Sequence, residues 1–465
     1  MSTRIEQDSM GDLEVPADAY YGAQTARARD NFPISGIRFP RPFIAAMGAI
    51  KHAAATANEA LGLVDAERAD AIRRAADEVI AGTLDDQFIL DIFQTGSGTS
   101  TNMNTNEVIA GRANELLTGN RGGREPVHPN DHVNYGQSSN DTIPTAIHVS
   151  LAVSVSEVLL PALRELHGVL EEKATSWHDV VKIGRTHLMD ATPIRMGQEA
   201  AGWARQVELS IARVEGTLPR VCELAQGGTA VGTGLNTHPE FGGRVAELLA
   251  KRFGLPFVEA VNHVEAQASK DACAELAGQL ATVATSLIKI ANDIRWMSSG
   301  PRCGLGEVQL PSIQPGSSIM PGKVNPVMCE SMMMIGAQVM GHANTVQIAN
   351  THGNLDLNVM MPVMARALLE SITILGRGVS EFTERAARGM EANAEKAEGY
   401  VAWSLSMVTS LAPVIGYDKA SKIAKRAIEE KKTVRDLCEE LDVLPAADLD
   451  RILDPATMTA PGVPS

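Results

Sequence analysis

The sequence is poor in aromatics, has no ordered cysteine spacing and carries no excess of positive charge. Each shortage removes a class of protein. Phe, Trp and Tyr make up 4% of the 465 residues, while Ala and Met are plentiful, which favours helices over β-sheets. The five cysteines (Cys222, Cys273, Cys303, Cys329 and Cys438) are scattered and odd in number, without a Cys-x-x-Cys pair. That pattern suits reduced thiols in a cytoplasm rather than a disulfide framework or a zinc site. The formal net charge of −15 argues against a nucleic-acid partner and against an anionic membrane surface. It leaves open a small anionic substrate, because a site can be locally basic. The N-terminal residues lack the apolar stretch of a signal peptide and are too acidic for a transit peptide. No run reads as long enough to span a membrane, so a soluble, cytoplasmic protein is expected. A chain of this length is too long for one compact core and predicts two to four domains.

What is present is helical periodicity interrupted by polar loops. Leu276, Leu280, Val283, Leu287, Ile290, Ile294 and Met297 alternate in steps of four and three. Met328, Met332, Ile335, Val339, His342 and Val346 follow the same rule, as do Leu368, Ile372, Leu375, Val379 and Phe382. Such stripes predict long helices packed at shallow angles in a bundle. The methionines among them read as core filler rather than a cofactor box. Residues 151–170 and 200–218 are periodic as well, and residues 43–82 read as two Ala-rich helices broken near Gly62. Residues 1–45, with four prolines, predict irregular structure and short strands. The tail beyond about residue 400 predicts short helices with solvated charged faces.

The polar loops are where chemistry would sit. Residues 316–326 (Gly-Ser-Ser-Ile-Met-Pro-Gly-Lys-Val-Asn-Pro) hold two hydroxyls, an ammonium and an amide on a backbone that two glycines and two prolines keep out of regular structure. By itself this stretch is equally a polar connector or a hinged lid. Residues 94–104 form a polar Gly/Ser/Thr run entering a helix, read either as ordinary capping or as an anion cradle on free N–H groups. Residues 137–141 offer a second hydroxyl and amide cluster before a long helix. Residues 184–193 read as a loop with one histidine, His187, the readiest proton carrier near neutral pH. His128-Pro129-Asn130-Asp131-His132 reads as a turn and helix cap in preference to a metal site. Residues 227–234 fail the context of a dinucleotide loop, lacking both its glycine spacing and a preceding strand, and read as a tight turn.

Taken together, the 316–326 loop (Gly-Ser-Ser-x-Met-Pro-x-Lys-x-Asn), the Ser97 stretch and the His187 stretch resemble, in order, the three shared regions of the fumarase/aspartase superfamily. The resemblance runs the length of the chain to Ile415-Gly416-Tyr417-Asp418. Within the superfamily it points to the class II, iron-independent fumarate hydratases. Aspartases carry Thr-Gln where this chain has Thr186-His187, Ser-Thr-Asn for Ser138-Ser139-Asn140, Gly-Ala-Gly-Thr for residues 96–99 and Pro-Ala-Lys for residues 321–323.

The resemblance implies a mostly α, three-domain fold (1–137, 138–395 and 396–465) whose long central bundle cores a homotetramer, each active site drawing its three motifs from three subunits. It implies a small dicarboxylate substrate, reversible hydration of fumarate to (S)-malate, and no cofactor or metal. It assigns Ser317 as the base, His187 as the group that handles the leaving hydroxyl and Glu330 as its charged orienter. Ser97, Gly98, Thr99, Ser138, Ser139, Asn140, Thr186, Ser318, Lys323, Val324 and Asn325 would bind substrate. His128, Pro129, Asn130 and Asp131 resemble a second carboxylate site. Departures from the family pattern fall outside the catalytic set: Asp356 replaces a usual Glu, Ala412 a usual Asn, and the basic residue near the second site is Arg124. An ammonia lyase, or a non-catalytic scaffold on the same fold, are the competing readings.

Overall fold

The computed structural model describes residues 2–462. Its elements are mostly helices, in line with the shortage of aromatic residues. The chain begins with a hairpin of β1 (Thr3–Asp8) and β2 (Gly11–Pro16), joined by a tight turn. Helix α1 (Ala23–Asn31) follows, within a stretch whose prolines suggested irregular structure. It forms because a distant side chain caps it. Glu107 accepts from the backbone N–H groups of Gly22, Gln24 and Thr25 and from the Thr25 hydroxyl, satisfying the free donors of a helix start. Helices α2 (Arg41–Ala60) and α3 (Ala66–Ala81) come next, separated at Gly62, as the Ala-rich pattern predicts.

Helix α4 (Thr99–Thr118) and helix α5 (Ser139–Ser154) each start directly after a polar cluster. From α5 the helix runs on through one wide turn into α6 (Leu160–Ser176). This continuous helix, Ser139–Ser176, has the length and apolar composition to cross a bilayer, which corrects the expectation that no run approaches that length. Burial of 72% of its apolar window marks it as a core helix. Strands β3 (Val181–Thr186) and β4 (Met189–Arg195) form an antiparallel hairpin ahead of α7 (Met196–Glu215). The long stripes become α8 (Asp271–Met297), α9 (Val327–Asn350) and α10 (Met361–Phe382). Leu276, Leu280, Val283, Leu287, Ile290 and Ile294 are all buried, as are Leu368, Ile372, Leu375, Val379 and Phe382. The tail carries short helices, α11 (Tyr417–Glu430) and α12 (Val434–Glu440) among them.

Contacts group the chain into two compact units. The first holds residues 1–161, 212–284 and 337–376; within it α2 packs on α3 and α5, and α3 on α4. The second holds residues 162–211, 285–336 and 377–465. It contains its own small core, in which Ile183 of β3 packs with Val401, Met407, Leu411, Ile423 and Leu437. Burying such a set of side chains is worth on the order of 2 kcal/mol apiece. That anchors the base of the β3–β4 hairpin.

Candidate active site

In the first unit the two polar clusters that precede helices meet. The Ser97 and Thr99 hydroxyls are hydrogen bonded at 2.8 Å, and the Thr99 hydroxyl is hydrogen bonded to that of Ser139 at 2.9 Å. A row of three hydroxyls thus joins the starts of α4 and α5. Gly98 turns the chain into α4 with φ of 72°, a left-handed conformation that glycine adopts without penalty. The Gln94 side-chain oxygen accepts from the Thr101 N–H and hydroxyl at 3.0 and 2.9 Å, folding the run back on the helix. Ser97 is 7% exposed.

The Ser138–Asn140 cluster is held from behind. Ser138 and Asp141 form a reciprocal cap: the Asn140 N–H donates to the Ser138 hydroxyl, and the Ser138 N–H donates to Asp141 at 2.9 Å. The second Asp141 oxygen accepts from the N–H groups of Gly227 and Thr229 at 3.1 and 2.9 Å. Asn140 donates its side-chain amide to the Ala230 carbonyl at 2.7 Å. The glycine-rich turn at 227–234 is therefore a clamp on this cluster, a role sequence reading left out. Asp141 is fully buried; burial pushes its carboxyl up, and the N–H donors and the charge of Lys51 pull it back. Lys51, also fully buried, donates to the side-chain oxygens of Asn134 and Gln137, each at 2.9 Å. Burial lowers its ammonium to about 7.

The second unit carries the His187 stretch and the 316–326 loop. Residues 184–193 are part of a hairpin, correcting their reading as a loop. Thr186 pairs with Met189, so His187 and Leu188 form its two-residue turn. Both take positive φ, 57° and 61°. Paired left-handed residues are what a two-residue hairpin turn of this hand requires, normally supplied by Asn-Gly. His and Leu there cost on the order of 1 kcal/mol each, and strain of this kind clusters at functional sites. Thr186, His187 and Leu188 are exposed.

Residues 316–326 form a loop closed on itself. The Gly316 N–H donates to the Lys323 carbonyl at 2.7 Å, and the Asn325 side-chain amide donates to the Gly316 carbonyl at 2.7 Å. A Cβ on Gly316 would lie 2.5 Å from that Lys323 oxygen, so the closure requires glycine. Inside it, the Ser317 hydroxyl oxygen accepts from the N–H groups of Ile319 and Met320 at 3.2 and 3.0 Å. Ser318, Lys323 and Val324 are exposed, while Ser317 and Asn325 are partly covered. Glu330 lies exposed in the first turn of α9.

Within the first unit, then, Ser97, Thr99, Ser138, Ser139 and Asn140 come together; within the second, Ser317 and Asn325 are joined by the bonds of their loop. The 128–131 segment is organised locally. One wide helical turn spans Pro129–Val133, and the His128 Nδ1 accepts from the N–H groups of Asn130 and Asp131, both at 3.1 Å. The Asp131 carboxylate lies 3.4 Å from the same ring nitrogen.

The chain matches the lyase family over residues 11–341 and the fumarase C C-terminus family over residues 407–460. Fumarate hydratase class II of Methylorubrum extorquens is 52% identical over 99% of this chain and 98% of its own length. The mitochondrial fumarate hydratase of Homo sapiens is 51% identical over 99% of this chain and 90% of its own. Among solved structures, recombinant class II fumarase from Schistosoma mansoni superposes with a TM-score of 0.96 at 42% identity, covering 98% of this chain and 99% of that one.

Proposed function

The chain belongs to the class II fumarate hydratase family, and on that premise we infer that it interconverts fumarate and (S)-malate by anti addition and removal of water. Removing water from malate needs a proton taken from a carbon beside a carboxylate. The resulting carbanion spreads its charge onto that carboxylate, which becomes dianionic and must be stabilised at that moment by donors already in place. The hydroxyls of Ser97, Thr99, Ser138 and Ser139 and the Asn140 amide suit this task, as do the exposed ammonium of Lys323 and the amide of Asn325.

The observation that carries the assignment is the environment of Ser317. A serine hydroxyl is a weak base and acts as one only as an alkoxide. Two backbone N–H groups aimed at its oxygen, from Ile319 and Met320, favour that anion, as backbone donors do for any oxyanion. Ser317 then takes the carbon-bound proton, while His187 protonates the hydroxyl that leaves as water. Glu330 supports the imidazolium formed in the hydration direction.

The full site is proposed to assemble in a homotetramer, with the 97–99 and 138–140 cluster, the His187 turn and the 316–326 loop coming from different subunits. A cytoplasmic location is proposed as well, supported by five unpaired cysteines. The function is tested by following fumarate absorbance with malate or aspartate as substrate. Malate turnover lost in Ser317→Ala is expected; faster turnover of aspartate than malate would sink the hydratase reading in favour of an ammonia lyase.

A further inference from the structure

We propose that Glu307 is a positioning residue for the reaction: through Arg185 and Lys182 it fixes the strand that carries the His187 turn. The proposal rests on the hydratase reading for its link to turnover, and on the geometry of the second unit for everything else. The β3–β4 pairing slips by one residue within its length. Ile183 pairs with Pro193, but Arg185 pairs with Asp190. The extra residue lies on β4, where Ala191 and Thr192 stand opposite Gly184 alone; such a bulge bends the hairpin and re-aims the side chains beyond it. Below the bulge, Ile183 is locked in the small core of the second unit. Above it, residues 186–190 are exposed, so apolar burial does not hold the turn in place.

Glu307 spans this break. Its side chain is fully buried. Both of its oxygens accept from Arg185 Nη1 at 2.9 Å, just above the bulge. One of them lies 3.4 Å from Lys182 Nζ, just below it. Lys182 is completed by Glu199 at 3.0 Å and by the Ile183 carbonyl at 2.8 Å. Glu307 itself is fixed by its backbone: its N–H donates to the Met297 carbonyl and its carbonyl accepts from the Asn393 N–H, both at 2.8 Å. One rigid carboxylate therefore holds the hairpin on either side of its irregular point. Arg185 lies two residues before His187.

Energetics favour positioning over bulk stability. A buried ion network costs much of what it gains in desolvation and is often replaceable by apolar residues without loss of stability. What such a network supplies is one defined geometry. A turn whose two central residues are strained needs its surroundings to determine it.

The test uses the full-length protein with Arg185→Ala, Arg185→Lys, Glu307→Gln and the Arg185→Ala/Glu307→Gln double variant. For each, kcat and KM for malate are measured on folded protein, together with hydrogen exchange of residues 181–195. Arg185→Ala is expected to lower kcat about 10- to 100-fold, the scale of an ångström of misplacement, with KM within about threefold of the parent. Exchange should rise locally in the hairpin. Arg185→Lys keeps one charged nitrogen, which is all that Arg185 presents to Glu307, and should restore most of kcat. The double variant should be no worse than the poorer single one. Should Glu307→Gln not fold, Arg185→Ala carries the test, its side chain lying at the edge of the network. Parent-like kcat in folded Arg185→Ala would overturn the proposal, and so would a loss matched by the loss of folded protein. A parent chain without hydratase activity would instead overturn the functional reading, and local exchange in the hairpin would still decide whether Glu307 holds it.

Discussion

The two units hold their candidate site residues in opposite ways. In the first, the hydroxyls of Ser97, Thr99 and Ser139 form a hydrogen-bonded row, and the cluster at 138–140 rests on buried Asp141, itself held by the turn at 227–234. In the second, His187 sits at the exposed tip of a hairpin and Ser317 in a mostly exposed loop closed by its own backbone. The difference suits the roles proposed for each. Groups that bind a dianion act best as fixed dipoles that need no reorganisation, and burial fixes them. Groups that take and give protons must meet a substrate that enters and leaves, and an exposed hairpin tip and an exposed loop are open to it. Substitution should therefore separate activity from stability in the second unit and damage stability first in the first.

The largest effect is expected for Ser317→Ala. Without the hydroxyl, the proposed base is gone, and kcat should fall by about three orders of magnitude or more, in the upper range for loss of a proton-transfer group. Its denaturation midpoint should stay at the parent value, since surface changes away from buried networks are usually within about 0.5 kcal/mol. A destabilised Ser317→Ala would break the contrast. Next comes Asp141→Ala, which removes the buried carboxyl group and strands the N–H groups of Ser138, Gly227 and Thr229. Leaving such groups unpaired costs about 1–3 kcal/mol each, so a loss of 3 kcal/mol or more in denaturant unfolding is expected. A loss below about 1 kcal/mol would show that the clamp does not root the cluster.

Lys51 gives a smaller effect with a definite sign. Burial lowers its folded-state value to about 7 from 10.5. Between those values the unfolded chain binds the proton and the folded chain does not. Stability from this group is therefore flat below about pH 7 and rises with pH above it. Relative to Lys51→Met, the parent should gain up to about 2.5 kcal/mol between pH 7 and 9, at 1.36 kcal/mol per unit. Parallel pH curves for the two proteins would show that the ammonium is not titrating in the fold.

The helices were legible in the sequence because their signal is local: spacing of four and three marks α8 and α10, and their stripes are buried as predicted. The polar clusters before α4 and α5 were legible as helix starts for the same reason, since capping residues act within one turn. What holds those clusters in place was not legible. Asp141 bonds Gly227, 86 residues away, and Arg185 bonds Glu307, 122 residues away. No periodicity encodes such a pairing. The hairpin at 181–195 was hidden because Gly184 and Pro193, usual breakers, are both strand residues there, Gly184 standing opposite a bulge on β4. Helix α1 was missed because its start is capped by Glu107, from α4, more than 80 residues on.

The smallest predicted effect tests the rooting at its outermost point. Ser138 caps α5 with its hydroxyl, which accepts from the Asn140 N–H at 3.2 Å, while Asp141 keeps its own bonds to the turn. Ser138→Ala removes the hydroxyl and should cost about 1 kcal/mol of stability, whereas Ser138→Gly should cost only a few tenths, because glycine is tolerated at this position of a helix start. Both variants lack the hydroxyl proposed to hold substrate, so both should raise KM for malate to the same extent. Equal KM values with unequal stability would assign the Ser138 hydroxyl two separable duties. A KM that tracked stability instead would mean that this residue acts on the substrate only by starting the helix, and the rooted half of the site would then bind through Ser139 and Asn140.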